Sequence, residues 1–105
     1  MTETITATLP LRRWQGDRGT YHLVVFTDDA AQALAGHALM HRLEFGRGRG
    51  FGSVKVVARI GDTQWNSSVF PQKEQGEWVL LVSKKVMRAQ DLAPDQEVTV
   101  SLNPV

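Results

Sequence analysis

Residues 53–70 read SVKVVARIGDTQWNSSVF, and the fold turns on how they alternate. Val54, Val56, Ala58 and Ile60 fall on one parity, Gly61 and Asp62 follow, and Trp65, Ser67 and Val69 alternate on the way back. Side chains of a strand point to opposite faces in turn, so each run has one apolar face. A short glycine-containing turn between two such runs specifies an antiparallel hairpin.

Toward the C-terminus, residues 71–76 read as a polar loop. Residues 77–82, EWVLLV, are apolar on both parities, which predicts a strand covered on both sides. Residues 83–91 suit one or two helical turns, 92–95 a turn, and 96–102 a last strand alternating through Val98, Val100 and Leu102. Toward the N-terminus, residues 20–26 form a strand rich in β-branched and aromatic residues. Ahead of it, Thr2, Thr4, Thr6 and Thr8 oppose Ile5, Ala7 and Leu9 in a half-buried strand. Pro10, which has no ladder donor, bends that strand, and residues 11–14 continue it up to a turn at 15–19. Between the second and third strands lies an alanine-rich stretch, 30–43, with Ala31, Leu34, Ala35 and Ala38 at helical spacing. Thr27 or Asp28 is the expected N-cap, and the helix is expected to end near Arg42. Residues 46–52, GRGRGFG, carry glycine at every second position and are expected to form an exposed, mobile loop.

The predicted architecture is mainly β: a small closed, double-split-like barrel of about six strands, with one α-helix between strands 2 and 3 and a short helical turn before the last strand. Closure is expected because it removes exposed edges. Val54, Val56, Trp65, Val69, Trp78, Leu80, Val98 and Val100 should form the core, with Trp14 as a further filler. The chain has 105 residues, 42% of them hydrophobic and 22% charged, which suits a single globular domain across residues 1–105. No apolar run is long enough for a membrane helix and no secretory leader is visible, so a cytoplasmic location is expected. The absence of cysteine excludes disulfides, thiol catalysis and zinc–thiolate sites. Monomer and small homo-oligomer both fit.

A formal net charge of +1 builds in no field for a polyanion, so strong nucleic-acid binding is not expected. Two local basic clusters are the candidate anion or nucleic-acid contacts. Arg47 and Arg49 lie in the glycine-rich stretch, where the glycine spacing fits neither the dinucleotide-binding fingerprint nor the P-loop. Lys84, Lys85 and Arg88 lie on the short helical element. His37 and His41 share a helix face at i,i+4 with Glu44 one turn on, but no HExxH pattern accompanies them and no metal or other cofactor is expected. No serine sits in a nucleophile elbow or an SxxK pattern, and no sequence rule places His22 beside one, so catalytic residues are not assigned.

Read together, GFGSVKVVARIGDTQWNSSVFP and GEWVLLVSKKVMRAQDLAPDQEVTVSL resemble the bacterial and archaeal domain-of-unknown-function family nineteen-oh-five. A glycine opens an alternating strand, and a tight turn leads to an aromatic-plus-serine strand ending in proline. A second glycine opens an apolar strand, and a basic helical turn passes through Leu-x-Pro into the final strand. The N-terminal strands and helix fit too, so the resemblance spans nearly the whole chain. It implies a small β-barrel distantly similar to the AbrB/MazE double-split barrel, and no known activity. The leading expectation is a non-enzymatic binding or interaction module. The alternatives are a nucleic-acid-binding module of AbrB/MazE-like type and a small-ligand pocket or enzyme at the barrel mouth. Clustering of the two basic segments on one face favours the former alternative, and a deep pocket lined by Trp65 or Trp78 with convergent polar groups favours the latter.

Overall fold

A computed structural model describes residues 4–45, 52–72 and 74–105. The elements are β1 (Ile5–Pro10), β2 (Arg12–Gly16), β3 (Gly19–Phe26), α1 (Asp28–Phe45), β4 (Val54–Ile60), β5 (Thr63–Gln72), β6 (Glu77–Val82), α2 (Lys84–Ala89) and β7 (Glu97–Pro104). All pairings are antiparallel, and the strands form one sheet in the order β1-β7-β4-β5-β6-β3-β2. The protein is mainly β, as expected, but the sheet is a seven-stranded curled half-barrel rather than a closed barrel of about six strands.

The discrepancy arises at Pro10 and Leu11. The chain does not run straight on from β1. It turns a corner at Leu11, whose N–H donates to the Gln96 carbonyl (2.8 Å) and whose carbonyl accepts from Asp95 N–H (2.7 Å). Residues 12–16 then form a separate strand, β2, which returns through a two-residue turn to pair with β3, Gly16 opposite Gly19. Among the described residues β1 pairs only with β7 and β2 only with β3, so the hydrogen-bond ladder stays open between β1 and β2. The two sheet edges are therefore successive pieces of one N-terminal segment, joined by a fully buried leucine.

The core lies on the concave face. Of the eight residues expected there, Val54, Val56, Val69, Trp78, Leu80, Val98 and Val100 are buried, and Trp65 is half-buried against them. The central hairpin holds the register its sequence predicts, Val54 opposite Val69 and Ile60 opposite Thr63, around the turn at Gly61. Gly61 sits at φ 60°, and a Cβ there would collide with the Gln90 side chain. On the outer face, the threonine parity of β1 meets the polar parity of β7. Thr4 Oγ1 donates to Asn103 Oδ1 (2.6 Å), and the Thr8 and Thr99 hydroxyls are 2.9 Å apart.

Two further expectations are corrected. Trp14 is no core filler: it lies 57% exposed on the outer face of the β2–β3 hairpin, its ring centroid 5.7 Å from that of its cross-strand partner Tyr21 and tilted 30° to it. β6 is not covered on both faces, because Trp78, Leu80 and Val82 are buried while Leu81 is exposed near Tyr21. Among the described residues both helices sit at the ends of the open sheet, and neither lies over that outer side.

α1 packs across one end of the half-barrel through Ala31 and Leu34 and runs to Phe45, beyond the expected end near Arg42. Neither expected N-cap side chain bonds a helix N–H. Asp28 instead adopts φ 51°, and Thr27 supplies its carbonyl to Ala31 N–H (3.2 Å). α2 closes the other end. Ser83 Oγ caps it at Val86 N–H (3.3 Å), Val86 is buried, and the Gln90 amide ties it to Thr63 Oγ1 (2.7 Å) and Asp62 Oδ1 (3.2 Å) of the β4–β5 turn. Among the described residues, no helix is long and apolar enough to cross a membrane.

Candidate functional site

A concavity of about 810 Å³ forms a groove between α1 and the β5–β6 connection. Its size falls in the range of small-molecule sites. One wall is a single helix face: Asp28, Ala31, Gln32, Ala35, Ala38, Leu39 and Arg42 recur at i,i+3/i+4 spacing. Small alanines on this face leave room beside the helix, and Leu39 stands half-exposed in it. The opposite wall comes from Pro71 and Gln72 at the end of β5, the turn through Gln75 and Gly76, and Glu77 and Trp78 at the start of β6. That turn is set by Gln75 N–H donating to the Gln72 carbonyl (3.1 Å) and by Gly76 at φ 67°. Trp78 is 6% exposed and pairs with Phe26, so it forms a fixed apolar floor.

Charge is distributed unevenly along the groove. The β3–β6 register sets Glu77 just beyond the Phe26–Trp78 pair, at the end of the sheet where β3 passes through Thr27 into α1. The carboxylates of Asp28 and Glu77 therefore stand toward the helix start, while Arg42 lies fourteen residues on, about 21 Å along the axis. Gln32, Gln72 and Gln75 supply amide donors and acceptors between them. The arrangement is an apolar floor and wall, a rim of amides, an acidic end and a basic end.

The opposite end of the half-barrel holds two adjoining concavities. One, about 380 Å³, is lined by His22, Lys84, Met87, Arg88, Asp91, Leu92 and Pro94. The other, about 420 Å³, is lined by Thr20, Tyr21, His22, Trp65, Ser67, Leu81, Val82, Ser83 and Lys84. The structure thus brings Lys84 and Arg88 together at i,i+4 and adds His22 from β3, which no sequence pattern had linked to them. Lys85 lines neither concavity. His22 and Ser67 share a concavity without a hydrogen bond between them, and Ser83 Oγ is engaged as the α2 cap.

Arg47 and Arg49, with the expected mobile loop, lie outside the described residues. The positions flanking them, Phe45 and Gly52, belong to the α1 end, and Gly52 lines the groove there. Lys84, Lys85 and Arg88 belong to the α2 end. His37 and His41 do line one small recess with Lys55 and Val105, but the described residues contain no group of three or more potential metal ligands.

Residues 8–102 match the family described as Domain of unknown function (DUF1905), and the chain belongs to that family. No curated protein matches it.

Proposed function

We propose that this DUF1905 domain is a cytoplasmic, non-enzymatic binding module whose ligand lies in the α1 groove. The single observation that carries the reading is the 810 Å³ groove floored by Trp78 and rimmed by amides and opposed charges. The ligand class that fits is a small, elongated amphiphile. Its apolar body lies against Ala35, Leu39, Pro71 and Trp78, a cationic or donor head faces Asp28 and Glu77, and an acidic tail faces Arg42. Apolar contact supplies the affinity and the few polar groups fix the orientation. Among the described lining residues the polar groups are amides, carboxylates, a guanidinium and the Thr27 hydroxyl, which donates to Asp28 Oδ2 (3.4 Å) rather than to an imidazole or amine base, and this supports binding over catalysis.

The test is a ligand-observed NMR screen of zwitterionic and cationic amphiphiles against the wild type and Ala35→Trp. Ala35 is exposed on the groove wall, so the indole fills the groove without entering the core. The expected result is a set of hits that shift the Trp78 indole resonance and disappear in Ala35→Trp. Hits that persist in that variant, or a screen with none, would remove the reading.

A further inference from the structure

We propose a second ligand site at the α2 end, for a phosphate monoester carrying a planar ring. The proposal is independent of the α1 groove and shares no residue with it.

The anchor is the rigidity of α2. A six-residue helix is unstable alone, yet this one is fixed at three points: the Ser83 cap, buried Val86, and the bonds from Gln90 to Thr63 and Asp62. Its exposed Lys84 and Arg88, one turn apart, are therefore attached to a fixed backbone beside His22, which β3 holds half-buried. Three nitrogen donor groups from two elements converge, and neither Lys84 nor Arg88 makes an ion pair among the described residues. Asp91 is the lone acid on that wall. A carboxylate would engage two of these groups, whereas a phosphate monoester offers three terminal oxygens and close to two negative charges.

The adjoining concavity supplies the rest of the ligand. It shares His22 and Lys84 with the first, so these two nitrogen-bearing side chains form the boundary between the two. Beyond that boundary, half-buried Trp65 presents an aromatic surface next to the hydroxyls of Thr20 and Ser67. A flat ring attached to the phosphate stacks on Trp65 while its polar edge meets the hydroxyls. Ring and phosphate are thus recognised by neighbouring walls of one continuous surface.

The site makes a sharp distinction between adjacent residues. Lys84 and Arg88 bind the phosphate, and Lys85, of the same charge and on the same short helix, does not. Isothermal titration and ¹H–¹⁵N NMR with phenyl phosphate, methyl phosphate and benzoate test this on the wild type, Lys84→Gln/Arg88→Gln, Lys85→Gln and Trp65→Leu. Phenyl phosphate is expected to bind about fivefold or more tighter than methyl phosphate, and to shift the Trp65 indole. Lys84→Gln/Arg88→Gln should weaken it about tenfold or more, while Lys85→Gln behaves as wild type. Trp65→Leu should abolish the preference for the ring and keep the methyl phosphate affinity. A 5′-phosphorylated oligonucleotide beside its unphosphorylated twin identifies the source. Dependence on the end phosphate assigns a nucleic-acid terminus, and its absence assigns a free small molecule. The proposal fails if folded wild type shows no saturable phenyl phosphate binding up to about 10 mM, if Lys85→Gln loses as much as the double variant, or if benzoate binds as well as phenyl phosphate.

Discussion

Three tryptophans show what a single position in this chain is worth. Trp78, Trp65 and Trp14 are respectively buried, half-buried and exposed. Parity assigns Trp78 and Trp65 to the concave face, but it is silent about how far the sheet curls over each. Trp14 was expected in the core for its bulk, against its parity: it is even-numbered like Thr4, Thr6 and Thr8, and like them it faces outward. Leu80, fully buried in the middle of β6, should destabilise the domain by roughly 2–5 kcal/mol when cut to alanine. Urea unfolding would measure this, and a loss below about 0.5 kcal/mol, the usual surface range, would place the residue outside the core. Gly61→Ala should cost about 1–2 kcal/mol by the same assay. The new Cβ is held at positive φ and displaces Gln90 from its two hydrogen bonds. A neutral result would show that the α2 tether can yield at no cost.

At the level of elements, the hairpin, the long helix and the last strand were all legible, because each carries its own period and its own turn residues. α1 runs past its expected end near Arg42 through Leu43, Glu44 and Phe45, and exposed Leu43 shows that this last turn has left the sheet behind. The groove itself was not legible. It depends on the distance between α1 and the β5–β6 turn, and no local pattern encodes that distance. The α2 cluster was half legible: charge marked Lys84, Lys85 and Arg88, but only the packing of α2 separates Lys85 from the other two and brings in His22. Ser83→Ala, which removes the cap hydrogen bond, should cost about 1 kcal/mol in thermal or urea unfolding. If α2 is held as described, amide exchange at Met87, whose N–H bonds to the Ser83 carbonyl, should accelerate in this variant more than exchange in β4. Equal acceleration throughout would mean that α2 opens only with the whole domain.

For the molecule as a whole, charge and topology give a common expectation about polyanions. The net charge is +1, and the α1 and α2 ends each carry acids among their bases. Random duplex and single-stranded DNA should therefore bind with a dissociation constant of about 10⁻⁴ M or weaker at physiological salt. Fluorescence anisotropy at two salt concentrations measures this; micromolar binding that falls steeply with salt and is lost in Lys84→Glu/Lys85→Glu would contradict it. Closure was expected of the barrel because edges are hazardous, but the chain manages its edges in another way. Both edges can be supplied by one segment bent at its middle. β1 and β2 thus behave as a strap drawn across the gap between the sheet's two edges, with Leu11 as its buckle. The width of the gap between the edges is then set by covalent length, not by a ladder. Lengthening the strap by two glycines beside Leu11 should let the gap spread, with faster amide exchange in β7 and β3 together and little change in the β4–β5 hairpin at the sheet's middle.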